Sequence, residues 1–137
     1  MAAGDKITVT KNTLSAFNAA TSISAALTAN AATADTDGLK QPYAIAPTKA
    51  ESKGLLIVRS TGAAADGNLT VKLIKGVNGM AAVADLSLTV TKNTTAVIPV
   101  DGRFKSATGT FEIEITPAGT DTCLTDHALS VAFVELV

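Results

Sequence analysis

Apolar and polar positions alternate with a period of two through most of residues 54–137. In TFEIEIT, Phe111, Ile113 and Ile115 fall on one face and Glu112 and Glu114 on the other, the pattern of a half-buried strand. NLTVKLIKG sets Leu69, Val71 and Leu73 against Thr70 and Lys72, and DLSLTVT sets Leu86, Leu88 and Val90 against Ser87 and Thr89. GLLIVRS (residues 54–60) and the final ALSVAFVELV are apolar almost throughout, as strands covered on both faces are. In TAVIPV, Pro99 lacks the N–H that a ladder needs, which predicts an edge strand or a bulge. Turn-forming stretches such as KGVNGM, VDGR and PAGTD separate these runs. Short strands so punctuated predict an all-β fold, an antiparallel β-sandwich or jelly-roll-like barrel. Its expected core is Val71, Leu73, Leu86, Leu88, Phe111, Ile113 and Ile115.

The hexapeptide TVTKNT occurs twice, at Thr8–Thr13 and at Thr89–Thr94. The residues after the two copies do not match, so a tandem duplication is not implied. Ile7 and Val9 alternate with Thr8 and Thr10, as Leu88 and Val90 do with Thr89 and Thr91. Asn tolerates the left-handed conformation and bonds its own backbone. Each copy therefore reads as a strand entering a turn.

Residues 14–53 break the pattern. SISAALTA reads as a strand with Ile23, Ala25 and Leu27 on one face. Leu14 and Phe17 fit a single helical turn, but the Thr and Asn content argues against a long helix. ATADTDGLKQPYAIAPTKAESKG reads as a long connection, and such connections tend to be functional or disordered. The expected division is residues 1–53, an N-terminal strand with an extended Ala/Thr-rich arm, and residues 54–137, the β-sandwich domain. Leu14, Phe17, Ile23, Leu27, Tyr43 and Ile45 are apolar anchors along the arm, expected to order on a partner and to make assembly contacts. Lys40, Lys49 and Lys53 should then be open to trypsin until assembly. Residues 1–10 pair either within the chain or with a neighbour.

Composition narrows the picture. A chain of 137 residues suits one domain with a single core. A formal net charge of -1 and a pI near 5.7 give no basic footprint for nucleic acid or for a membrane surface. Hydrophobic residues make up 47% of the chain but aromatics only 4%, so the core is built from Val, Ile, Leu and Ala. A mean hydropathy of +0.32 fits extra burial in an oligomer or larger assembly; abundant Ala accounts for it equally. Cys123 is the single cysteine, which excludes an intrachain disulfide. MAAGDKITV lacks the charged and apolar regions of a signal peptide, and no run of about 18 apolar residues is present to span a bilayer. Synthesis in a reducing cytoplasm is the expectation.

Candidate chemistry is sparse. His127 lies near Asp121, Cys123 and Asp126 in TDTCLTDHAL, but metal-ligand spacing is missing. A Cys123–His127 nucleophilic dyad competes with the plainer reading of a loop histidine beside a small buried thiol. DTDG, Asp35–Gly38, resembles the start of a calcium loop without its later ligands. GVNG, Gly76–Gly79, follows a strand as a phosphate loop does, but without Lys-Ser/Thr it reads as a hairpin turn. Asn68 and Asn93 head formal glycosylation sequons. Arg59 and Arg103 stand at strand ends, where an interfacial ion pair competes with simple solvation. No catalytic constellation, metal site or cofactor site is expected, and the chain is not expected to be an enzyme.

GLLIVRSTGAAADGNLTVKLIKGVNGMAAVADLSLTVTKNTTAVIPVDGRFKSATGTFEIEITPAG, closed by LSVAFVELV, is similar to head decoration and minor structural proteins of tailed-bacteriophage virions. The matching parts are LLIVRSTG, LTVKLIKGVNG, ADLSLTV followed by GRFK, and VAFVELV, within roughly residues 50–137. They are structural rather than catalytic motifs. The resemblance implies a β-sandwich on the capsid exterior that binds the major capsid protein as a homotrimer and stabilises the shell. The charge balance given above adds no nucleic acid and no membrane to the expected partners. A tail-tube, neck or head-fibre-base component is the alternative within the virion. A glycan-binding adhesin-like sandwich is the alternative outside it, though that function favours exposed Trp or Tyr, and the chain has no Trp and only Tyr43.

Overall fold

The computed structural model describes residues 6–14, 20–29, 40–48, 53–61, 68–74, 84–106, 109–117 and 129–136. Among these the strands are β1 (Ile7–Val9), β2 (Lys11–Leu14), β3 (Gln41–Ile45), β4 (Lys53–Ser60), β5 (Leu69–Leu73), β6 (Leu86–Val90), β7 (Thr95–Val100), β8 (Phe111–Pro117) and β9 (Leu129–Leu136). One helix, α1, covers Ser24–Ala29, and a 3₁₀ turn covers Gly102–Phe104. A five-stranded sheet runs in the order β1-β3-β8-β5-β6, and a four-stranded sheet in the order β2-β9-β4-β7. They pack face to face, so the predicted all-β sandwich is the fold. It is antiparallel except where β1 meets β3 and β2 meets β9, which pair in parallel.

The alternation places side chains as expected. Val71, Leu73, Phe111, Ile113 and Ile115 are buried between the sheets, against Leu56, Val58, Val131 and Phe133 from the opposite one. Glu112 and Glu114 face outward and pair with Lys6 and Lys40. β4 and β9 are covered on both faces: Leu56 and Val58 point inward, while Ile57, Ala132 and Val134 form a second small cluster under Leu27 of α1. Pro99 lies on β7, an edge of the four-stranded sheet, the kind of strand that tolerates a proline. Leu86 departs from the expected core. It is 42% exposed and Leu88 only partly buried, because β6 is the edge of the wider sheet and has less cover from the narrower one.

The N-terminal half is where the structure corrects the sequence reading. Ser24–Ala29 is a helix rather than a strand, with Leu27 N–H donating to Ile23 O at 2.9 Å. QPYAI is not part of an extended arm. It is β3, second in the five-stranded sheet and paired in parallel with β1 and antiparallel with β8. Tyr43 and Ile45 are 0% exposed. Residues 7–9 pair within the chain, with Ile7 opposite Tyr43 and Val9 opposite Ile45. Because β1, β2 and β3 are strands of the same two sheets, the boundary at 53/54 separates no structural unit. A parallel partner needs no hairpin beside it, so β3 sits deep in the sheet without the turn that would have announced it.

Candidate functional site

The six expected assembly contacts divide. Tyr43 and Ile45 belong to the main core, so burial in their own sandwich leaves them unable to clamp a partner. Leu14, Ile23 and Leu27 come together instead, packing with Ile57, Ala132 and Val134 on the outer face of the four-stranded sheet. Leu27 is itself buried there, while Leu14 and Ile23 are half-buried. Phe17 lies outside the described residues, as do Lys49, Asp121, Cys123, Asp126, His127, the DTDG stretch and the GVNG stretch. Among the described residues, no three His, Cys, Asp or Glu side chains gather to hold a metal, and no helix is long and apolar enough to cross a membrane.

The two outer faces differ in chemistry. On the five-stranded sheet the outward positions carry Thr8, Thr70, Lys72, Ser87, Thr89, Glu112, Glu114 and Thr116, with Pro42 and Ala44 of β3 among them. Ion pairs tie Lys6 to Glu112 at 2.7 Å, Lys40 to Glu114 at 3.3 Å and Lys72 to Asp85 at 3.3 Å. These groups are well hydrated, and such pairs contribute little stability each. On the four-stranded sheet the outward positions of β4 and β7 include Leu55, Ile57, Val97 and Pro99, with Leu55 opposite Pro99 and Ile57 opposite Val97, between Lys53 at one end and the Arg59–Thr95 pair at the other. Helix α1 shields Ala132 and Val134 of β9 on this face and leaves β7 open, where Val97 is 57% exposed; Leu136, at the end of β9, is 45% exposed.

A cleft of about 300 Å³ closes one end of this strip, with Leu55, Pro99 and Leu136 beside Lys53, Asp101 and Arg103. Asp101 caps the 3₁₀ turn, accepting from Arg103 N–H at 3.0 Å and from Arg103 Nε at 3.0 and 3.1 Å. The hydrogen bond from the Arg103 side chain holds the Asp101 carboxyl below its ordinary range and raises the guanidinium in turn. Arg103 thus spends its charge within the chain, on Asp101. Arg59, at the other end of the strip, differs: its Nε is buried and has no hydrogen-bond partner. Asn68 and Asn93 serve the β6–β7 turn, where Lys92 N–H donates to Asn68 Oδ1 at 3.2 Å and Asn93 adopts φ 55°.

The sequence did not single out Val97 and Leu55. The available signal was that TAVIPV is apolar at odd and even positions alike, so an edge strand must leave one apolar side uncovered. Compared with protein-family models, with curated proteins and with solved structures, the chain matches none. Fold and site together define a small β-sandwich with one charged outer face and one apolar outer face.

Proposed function

We propose that this chain is a virion structural protein of a tailed bacteriophage, a decoration protein that binds the outside of the capsid shell and stabilises it. The observation that supports this reading is the asymmetry of the sandwich. A protein seated on a shell needs one face for solvent and one for its support. The charged five-stranded face suits the first, and the open strip of Leu55, Val97, Pro99 and Leu136 suits the second. Burial of apolar surface gives roughly 25 cal/mol per Å² removed from water, and repetition over a lattice turns weak contacts into avid ones. The partner is the major capsid protein, the location is the virion exterior, and the oligomer is a homotrimer. Such a role calls for no cofactor and no catalytic group.

A glycan-binding module is disfavoured on a specific ground. Stacking on sugar rings needs exposed aromatics, and the aromatics among the described residues, Tyr43, Phe104, Phe111 and Phe133, are all buried. The test is to mix purified protein with empty shells of the same virus's major capsid protein, sediment them, and image the pellet by negative stain. Added density on the shell exterior, with a rise in the shell's melting temperature as expected for a ligand of the assembled state, is the expected result. Shells that sediment bare at micromolar protein overturn the proposal.

A further inference from the structure

We infer that β6 is a self-association edge: two copies of this chain join β6 to β6 in antiparallel register, making one continuous sheet from their two five-stranded sheets. This contact goes beyond the shell-binding reading and is testable on the free chain. A bare strand edge presents a row of unpaired N–H and C=O groups, and folded proteins guard such edges with charge, proline, bulges or very short strands. Three of the four edges among the described strands are guarded. β1 has three residues beside Lys6, β2 carries Lys11 and Asn12, and β7 carries Pro99. Edge β6, LSLTV, has no charge and no proline, and its register with β5 runs unbroken from Leu69 opposite Val90 to Leu73 opposite Leu86. Among the described residues no backbone hydrogen bond reaches its outer side.

The strand's own sequence selects the occupant. An antiparallel pair centred on Leu88 sets Leu86 opposite Val90 of the second copy, Leu88 opposite its own counterpart, and Ser87 opposite Thr89. Apolar meets apolar on one face and hydroxyl meets hydroxyl on the other, pairings that stabilise adjacent strands. The overhang supplies apolar surface to cover: Leu86 is 42% exposed and Leu88 half-buried, where the five-stranded sheet extends past the four-stranded one. The two-fold axis of such a pair runs normal to the sheet, so each copy keeps the same side up. Both charged faces then point one way and both four-stranded faces, with Val97, the other, as two copies seated side by side on one support require. Being two-fold, the contact does not lie inside a homotrimer; it links one trimer to the next. Five residues a side bury less than the roughly 1,200 Å² of a stable interface. Pairing is therefore weak between free chains and strengthens where copies are held close together.

The experiment reads contact and register together in the full chain. Cys123, the single cysteine, is first removed as Cys123→Ser, and one cysteine is then placed on β6 or on its neighbour β5. Each variant is melted to establish that it folds, then equilibrated at high protein concentration in a glutathione redox buffer and run on a non-reducing gel. Leu88→Cys should cross-link to itself, since directly opposed Cα atoms in an antiparallel pair stand about 4.5–5.5 Å apart, within disulfide range. Ser87→Cys alone and Thr89→Cys alone should not, because a two-residue offset sets like positions about 7–8 Å apart, too far for the bond. A mixture of those two should give the mixed dimer. Thr70→Cys, exposed on the outer face of β5, is the negative control. Adding Leu86→Lys to Leu88→Cys places an ammonium opposite Val90 and should weaken the pairing at least about tenfold. If Leu88→Cys does not fold, the exposed pair Ser87→Cys and Thr89→Cys decides the case. Cross-linking no greater than that of Thr70→Cys, or any other pattern among the three β6 positions, overturns the inference. A dimer that Leu86→Lys leaves unchanged uses another surface and overturns it as well. If the expected cross-links form while shells stay bare, the edge contact stands and the shell-binding reading fails.

Discussion

Adding one methyl group at Gly54 tests how closely β4 and β9 pack on the inner face of the four-stranded sheet. Gly54 is an inward position of β4, opposite Val100 and Glu135. A Cβ there would lie well inside van der Waals contact of Phe133 Cζ, 2.8 Å from Phe133 Cε2 and 2.7 Å from Val134 O. The glycine is needed for close approach and not for an unusual backbone angle. Phe133 cannot easily retreat, because its ring rests at 58° on Phe111 with centroids 5.8 Å apart. Overpacking of this kind costs up to about 3 kcal/mol, while replacing a strand glycine by alanine returns about 0.5–1 kcal/mol of backbone entropy. Gly54→Ala should therefore lose about 2 kcal/mol in urea denaturation. Phe133→Leu removes the two ring contacts but leaves the Val134 carbonyl in place. In that background Gly54→Ala should cost about 1 kcal/mol less, a coupling in the range seen for touching residues. A Gly54→Ala protein within 0.5 kcal/mol of wild type on that scale, or strict additivity with Phe133→Leu, would refute the packing argument.

Ile113→Ala should cost about 2–5 kcal/mol through the cavity it leaves in the core, read by chemical denaturation. Tyr43→Ala should destabilise the isolated protein by about 3–5 kcal/mol, whereas a residue held in reserve for a partner would leave isolated stability unchanged. Lys11→Met should cost about 1–3 kcal/mol, because Lys11 Nζ stands 3.7 Å from the 0%-exposed Glu135 carboxylate, and its loss takes one cationic partner from a buried charge to which Thr48 donates its N–H and hydroxyl at 2.6 Å. Lys6→Met, which breaks the exposed pair with Glu112, should fall within about 1 kcal/mol of wild type. Asp101→Asn should lower stability slightly at neutral pH, with the difference vanishing in acid. The Arg103 side chain depresses the Asp101 carboxyl, so its contribution is present above the ordinary carboxylate range and is lost as pH falls through the lowered value.

What the sequence made legible followed from how many constraints each segment satisfies. In β5 and β8 one face is wet and one dry, so the period of two survives in Leu69–Leu73 and Phe111–Ile115. In β4 the continuous apolar run reflects cover from both sides. Segment Ile23–Leu27 defeated the same logic for a geometric reason. Residues four apart share a helix face and also share a strand face, so Ile23 and Leu27 fit either period, and the decision fell to packing of α1 on Ile57, Ala132 and Val134. β3 was hidden because it is short, contains Pro42 and has no hairpin to its parallel partner β1. The open strip on the outer face was hidden because apolar residues on both sides of β7 do not say which side is left bare. The unpaired Nε of Arg59 depends on the side chain's final surroundings, which no local pattern encodes.

The repeated hexapeptide finds its explanation in topology. The first TVTKNT ends β1 at Val9, passes through Thr10 and supplies Lys11–Thr13 of β2. The second ends β6 at Val90 and makes the turn to β7, with Asn93 in the left-handed region. The reading of a strand entering a turn thus holds for the second copy and fails for the first, where Asn12 and Thr13 remain extended. Tertiary partners override a weak turn preference: Lys11 reaches Glu135 and Ala46 O, and Asn12 donates to Phe133 O. Yet both copies perform one task. β1 and β6 are the two edges of the five-stranded sheet, and β2 and β7 are the two edges of the four-stranded sheet. Each copy carries the chain from an edge of one sheet to the adjoining edge of the other, on opposite sides of the sandwich. Val9 and Val90 anchor the departure in the core, and the polar Thr-Lys-Asn-Thr that follows tolerates solvent at the crossing. The same local chemistry serves twice because the two sides of the sandwich pose the same problem, and the chain solves it with a strand on one side and a turn on the other.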